Sequence, residues 1–431
     1  MRVSLQLPSA VRITIGMVMA FLLLVNHAPA ALGAEKTKLE FWSWDQKAHD
    51  LEVSLATRYM RRNPHVEVEV VTEPWASYWD KMTILNATGT PPDVYYMSVA
   101  YNWDYANVDW TQSMEQFARQ LPQQNYFWPV MNDLRYPNRS GELYAFPFDW
   151  VASLLFFNRS MFDENGVAHP NNSWDWFTLR DAAKKLTRDT DGDGHPDIWG
   201  FISNTSHELL DSVIYSWGGG VLDSTQRQSR LCDPESLEAI QFMVDLIHKD
   251  RVSAPLGTSP SFVSGRVGMY IGICTLIESL HDTKAGFDWD VAMVPKGPQS
   301  RVIYGGPNSI VVSKMTAHPE IAFDFARFFV TEREATEIRK GRIPVYVPLA
   351  RNPQWLTWNN PPANMRVVLE SSQFVQGADF GTTKWNEWRS VAMNNALAPA
   401  YRGQISVAAA AQNAAQVINQ ILASTTCRRC P

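Results

Sequence analysis

Between Leu39 and Met97 the chain changes hydrophobic period four times, and few folds accept that pattern. Leu39-Glu40-Phe41-Trp42-Ser43-Trp44 alternates with a period of two, as a strand does. Leu51 to Arg62 reads as an amphipathic helix stopped by Asn63-Pro64. Val66 to Val71 alternates again and ends at Thr72-Glu73-Pro74. A second helix, Trp75 to Thr88, closes at Gly89-Thr90-Pro91-Pro92, and Asp93 to Met97 is a third strand. Strand, helix, strand, helix, strand at this spacing predicts βαβ units, hence a parallel sheet with helices on both faces. Ligands of such sheets bind beyond the carboxyl ends of the strands. Those ends carry Trp44 and Asp45, Glu73, and Ser98, which makes these four the first candidate site residues. The strand register is read as placing Trp44 outward and Trp42 in the core.

The rest of the chain continues in the same style. Phe146-Pro147-Phe148-Asp149-Trp150 leads into a strand, Ser153 to Asn158. Helices are expected after Ser173-Trp174-Asp175-Trp176, over about 234–249, over 318–339 and over about 405–422. Ile271 to Cys274 reads as a strand-to-helix turn, and residues 302–313 as a strand containing Gly305-Gly306. No low-complexity linker or short-period repeat separates the parts, so two α/β lobes joined by several crossings are expected.

The N-terminus constrains location. Arg2 and Arg12 bracket the approach to an uncharged apolar run, Ile13 to Val25, followed by small residues up to Ala34. That order is a secretory signal, cleaved after Ala34 or Ala30. Retained, the run would be an anchor, but it is shorter than the roughly 20 apolar residues of a spanning helix. About 400 residues then remain, enough for two domains. A net charge of −6 and a pI of about 5.9 argue against nucleic acid or anionic lipid as the main partner. Seventeen tryptophans are abundant enough to supply both cores and flat platforms for sugar rings. Cys427 and Cys430 form a C-x-x-C on the C-terminal tail, where a local disulfide is expected over redox chemistry; Cys232 and Cys274 are either paired or simply buried.

Asp189-Thr190-Asp191-Gly192-Asp193-Gly194-His195-Pro196-Asp197 is the sharpest local signal. Asp189, Asp191, Asp193 and Asp197 occupy positions 1, 3, 5 and 9 of an EF-hand-type loop, Gly194 the turn, and His195 the carbonyl position. Position 12 is Gly200, where the motif has a bidentate Glu. A structural Ca²⁺ is the expected occupant, and no other cofactor is expected; an ion-free Gly/Asp turn is the alternative.

Five ordered stretches then carry a resemblance. They are Gly141 to Pro147 followed by Leu155 to Phe162; Ser173 to Trp176 with Ala182 to Leu186; Phe262 to Met269; Gly305-Gly306; and His318-Pro319-Glu320 with Ala322 to Phe329. Together they resemble the extracellular solute-binding proteins of ABC sugar importers, the group of maltose- and glycerol-phosphate-binding proteins. The resemblance implies an α/β, two-lobed periplasmic-binding-protein fold. Each lobe is a mainly parallel sheet flanked by helices, and the ligand cleft lies between lobes that close around a hinge. It implies crossings near 148–152, 300–304 and 346–352. The first lobe is then 35–148 plus 302–347, and the second 149–301 plus 348–431. It also implies a carbohydrate or polyol/glycerol-phosphate ligand, ABC permease subunits as partners, a monomer, and a periplasmic or extracellular location at the cytoplasmic membrane surface. Further ligand residues implied are Asp149 and Trp150 at the hinge and Trp217 before three glycines. The residues themselves add Gly272 and Cys274, at a helix start whose free N–H groups suit hydroxyls, Gly305 and Gly306 on the same ground, and Trp385, three residues from Trp388. Two other readings compete. A secreted glycoside hydrolase would need facing carboxylates, for which Asp45, Glu73 and Asp149 are the available groups. A calcium-dependent surface adhesin would rest on the Asp loop alone.

Overall fold

The computed structural model describes residues 36–127, 131–137, 139–332, 342–358, 361–376, 379 and 381–424. The segment read as a secretory signal and Cys427-x-x-Cys430 lie outside the described residues. So does the end of the helix expected over 318–339.

The βαβ pattern folds as the periodicity dictates. Strand β1 (Thr37–Ser43) pairs in parallel with β2 (Val66–Thr72) and β3 (Val94–Ser98). Helices α1 (His49–Arg62), α2 (Trp75–Thr88) and α3 (Val99–Asn107) follow them in turn. α1 starts with Asp50 and Glu52 and ends with Arg61 and Arg62, charges that complement its dipole. Glu52 is fully buried and takes hydrogen bonds from the Ser43 hydroxyl (2.5 Å) and the Tyr96 hydroxyl (2.7 Å). This buried carboxylate ties α1 to β1 and β3.

A short hairpin, β4 (Arg135–Tyr136) and β5 (Glu142–Leu143), precedes the long strand β6 (Phe146–Asn158). Helix α4 (Trp176–Leu186) is capped by Asp175, whose carboxylate accepts the Thr178 N–H at 2.7 Å. Next come β7 (Trp199–Phe201), α5 (His207–Ser216), α6 (Pro234–His248), β8 (Val267–Ile273), α7 (Leu276–Asp282) and β9 (Trp289–Ala292). The chain finishes with β10 (Ile303–Val312), α8 (Pro319–Thr331), β11 (Ile343–Pro344), β12 (Val375–Gln376) and α9 (Val407–Ala423).

Strand order is β2-β1-β3-β10-β6-β8-β7, with β11 and β9 on β6 and β12 on β10. β6 is shared by two halves of the sheet. Its residues 146–152 run antiparallel to β10, and 153–157 run antiparallel to β8. β10 does the same in reverse: Ile303 and Tyr304 pair with β12, Gly305 onward with β6. Among the strands of the described residues, the parallel pairs are β1–β2, β1–β3, β7–β8 and β10–β12, while β6 and β10, which run through both halves, pair antiparallel. Gly305 sits where an added Cβ would lie 2.5 Å from the Val151 carbonyl, so this junction needs a residue without a side chain. Cys232 is exposed and Cys274 buried, both as free thiols. No helix among the described residues is long and apolar enough to cross a membrane.

Candidate functional site

The carboxyl ends of β1, β2 and β3 align along one edge, where the Glu73 N–H donates to the Ser43 carbonyl at 2.9 Å. Trp44, the first residue past β1, stands half-buried on that edge. Its ring lies 5.0 Å from Trp75, 5.3 Å from Tyr78, 5.6 Å from Trp79 and 5.1 Å from Tyr96, edge-on to all but Trp79. Trp79 in turn stacks on Tyr101 at 3.9 Å and 13°. Tyr78 and Trp79 are buried, whereas Trp75 is 49% exposed. The edge therefore ends in an aromatic face made by Trp44, Trp75 and Tyr101, supported from beneath by packed rings. Such faces suit the apolar C–H side of a polyhydroxylated ring.

Trp75 and Tyr101 were not among the sequence candidates, although Trp75 opens the helix directly after β2. The placing of Trp42 needs correction. Leu39, Phe41 and Ser43 are the buried positions of β1, and Trp42 shares the half-buried parity of Trp44. A strand's two-residue period puts both on one side. The Trp42 indole N–H donates to Glu40 at 2.5 Å.

The other first-lobe candidates are already engaged by the protein. Glu73 pairs with Lys81 at 2.5 Å. The Ser98 hydroxyl accepts the Ala100 N–H and caps α3. Asp149 is fully buried, with Oδ1 taking the Asn308 amide at 2.8 Å and Oδ2 lying 3.5 Å from Arg342. Asp45 approaches the same guanidinium at 3.6 Å. Burial works against the Arg342 charge, yet Asp149 and Asp45 hold its pKa above the ordinary arginine value. Trp150 is 1% exposed and packs near Phe127, so it is a core residue rather than a cleft platform.

In the second half several nominations move into the core. Trp217 is 3% exposed among Trp176, Phe177 and Phe242. Its glycines serve a turn, with Gly218 at φ +91° and Gly219 against Ser236. The Cys274 N–H is not free for a ligand, since it donates to Ala152 at 2.9 Å, and burial pushes the thiol up to about 12. Gly272, Gly305 and Gly306 are buried ladder positions opposite Leu154, Ala152 and Val151. Trp385 packs on His207 (5.6 Å) and Trp388 (6.3 Å), also buried.

Around Trp385 lies a polar cluster that sequence reasoning missed. Asp211 receives two N–H bonds from Arg389, both residues buried. Tyr215 donates to Asp379, whose carboxyl burial raises to about 6. Burial also lifts Asp104, on α3, to about 6, although the Lys384 N–H donates to it at 2.9 Å from the other half. Burial opposes the charge on Glu208, but His207 at 3.1 Å holds it down at about 2. These pairs join residues far apart in sequence, so neither spacing nor periodicity announces them.

The Asp loop closes on itself. Asp189 takes the N–H groups of Gly192 (2.7 Å) and Gly194 (2.8 Å), and Asp197 takes the backbone N–H (2.9 Å) and the hydroxyl (2.6 Å) of Thr190. Asp193 accepts the His195 N–H at 2.7 Å. Gly192 and Gly194 have φ of +79° and +87°, which glycine supplies without strain. One carboxylate oxygen each of Asp189, Asp191 and Asp197 lies within 4.8 Å of the others. Three convergent carboxylates fit a hard cation. Position 12 cannot be a Glu here: a Cβ at Gly200 would lie 2.1 Å from the Ala183 carbonyl.

Residues 54–362 match the family described as bacterial extracellular solute-binding proteins. An uncharacterized ABC transporter extracellular-binding protein of Pyrococcus horikoshii is 22% identical over 364 residues, 81% of this chain and 80% of that one. Among solved structures, an ABC substrate-binding protein of Listeria monocytogenes in complex with cycloalternan superposes with a TM-score of 0.76. The identity there is 22%, covering 90% of this chain and all of that one. The cyclic α-maltosyl-1,6-maltose binding protein of Arthrobacter globiformis gives 0.75 at 19% identity, again over 90% of this chain and all of that one. Both likenesses carry the two-lobed α/β fold.

Proposed function

The chain belongs to the bacterial extracellular solute-binding proteins, and we propose that it captures a carbohydrate between its lobes and delivers it to an ABC importer. The observation that carries the reading is the aromatic edge of Trp44, Trp75 and Tyr101 at the carboxyl ends of parallel strands. The ligands named for the Listeria and Arthrobacter structures are both cyclic saccharides, which supports an oligosaccharide over a small ion. Closure would bring the second lobe over the bound rings, the solute favouring the closed form by touching both sides. The chain works as a monomer outside the cytoplasm, at the membrane surface where permease subunits receive the sugar.

Binding without catalysis fits the carboxylates. Asp45 and Asp149 are held by Arg342, and Glu73 by Lys81, which leaves none of the three as a free acid–base pair for glycoside cleavage. Asp193, whose carboxylate accepts the His195 N–H, lies outside the convergent set, and Asp189, Asp191 and Asp197 would hold Ca²⁺. Its charge would offset their mutual repulsion and brace the loop between α4 and β7.

A thermal-shift screen over mono-, di- and oligosaccharides and glycerol phosphates tests the reading, with recovered sugar analysed for cleavage. A shift by an oligosaccharide that is recovered intact is the expected result. Cleaved sugar would place the chain among hydrolases, and a shift only with non-carbohydrate solutes would defeat the carbohydrate assignment.

A further inference from the structure

Six charged side chains line up across the seam between the two halves. Asp45 and Lys47 follow β1, Asp149 lies in β6 and Arg342 precedes β11, all in the half built on β1–β3. Glu278 and Asp282 belong to α7 in the other half. Lys47 Nζ lies 2.5 Å from Asp282 Oδ2, both side chains more than half exposed. Glu278 lies within electrostatic range of Lys47, Asp45 and Arg342, with Asp282 on its own helix, and burial raises its pKa. Lys47 of one half thus pairs with Asp282 of the other, and Glu278 lies within electrostatic range of both Lys47 and Arg342. Asp45 and Asp149, at 3.6 and 3.5 Å from Arg342, orient the guanidinium from behind.

An exposed ion pair inside one rigid body contributes little to stability. Here the partners stand 235 residues apart on two bodies, so their attraction exists only while the halves are together. It therefore acts on the open–closed equilibrium rather than on folding. We propose that the row Lys47, Arg342, Glu278 and Asp282 is an electrostatic latch that draws the lobes together, so that closure responds to ionic strength whether or not a solute is bound. A latch of this kind raises the fraction of molecules in the binding-competent closed form, and apparent affinity follows that fraction. The inference rests on two-lobe closure and is independent of which solute the cleft takes.

Small-angle X-ray scattering of the full chain, free of solute, tests it. Salt from 0.01 to 1 M shortens the screening length from about 30 to about 3 Å. The wild-type radius of gyration is expected to be small at low salt and to grow as salt rises. Asp282→Lys sets like charges face to face and should cut the closed population about five-fold at low salt, flattening the salt response. The swap Lys47→Asp with Asp282→Lys should restore the wild-type curve, which a merely misfolded variant would not do. A wild-type radius that ignores salt, an Asp282→Lys curve identical to wild type, or a swap that stays open would each overturn the latch.

Discussion

Two groups of tryptophans, one in each half, have opposite fates. Trp44 and Trp75 stand at the ends of β1 and β2, where the next layer of the fold is solvent or ligand. Trp176 and Trp217 lie at the start of α4 and the end of α5, where α6 covers them and Phe242 closes the packing. The residue type is the same; what differs is whether another element lies on top. Past the parallel strands Trp44 stays half-buried and Trp75 half-exposed, whereas Trp217, at a helix end beside a glycine turn, is covered by the next helix.

Breaking the covered group should cost stability and spare recognition. Trp217→Ala is expected to lower unfolding free energy by about 3–5 kcal/mol, read by urea denaturation, with ligand affinity preserved in the folded fraction. Equal loss of affinity without loss of stability would reverse the comparison. Truncating the open group should do the converse. Trp75→Ala should leave melting nearly unchanged, because the ring is half exposed, while weakening sugar binding by on the order of 2 kcal/mol.

Buried carboxylates in both halves make stability depend on pH. Asp104 and Asp379 have folded pKa values raised to about 6, so the folded state binds more protons than the unfolded one between about pH 4 and 6. Their contribution therefore improves as pH falls from 7 to 5, on the order of 2 kcal/mol. Glu208, held at about 2, contributes stability above its unfolded value of 4.5 and loses it as pH falls toward 2. The melting temperature should thus peak near pH 4, and Asp104→Asn should flatten the limb between pH 5 and 7. A monotonic rise from pH 4 to 8 would contradict this. The smallest effect belongs to the Asp loop. EDTA should lower the melting temperature by a few degrees, an effect of about 1 kcal/mol that Ca²⁺ restores and Asp189→Asn abolishes.

Much of this was legible in the chain. The βαβ start follows from period changes and from Pro74 and Gly89, since local periodicity is fixed by which face each element buries. The Asp loop is visible because its turn and its carboxylates are contiguous. Trp75 escaped because its exposure depends on the strand edge it stands on, not on its helix position. Trp217 was misplaced because three following glycines suit a tight turn as well as a ligand approach. Arg342 with Asp45 and Asp149, and Arg389 with Asp211, are invisible because nothing local marks a pair almost 200 or 300 residues apart.

The central claim is that the first-lobe aromatic edge binds a carbohydrate. Isothermal titration with linear and cyclic glucose oligosaccharides, on wild type, Trp75→Ala and Trp217→Phe, tests it most directly. A saturable oligosaccharide isotherm is expected, weakened about ten-fold or more by Trp75→Ala and left intact by Trp217→Phe. An isotherm that Trp75→Ala leaves unchanged, or the absence of any saccharide isotherm alongside tight binding of another solute class, would contradict it.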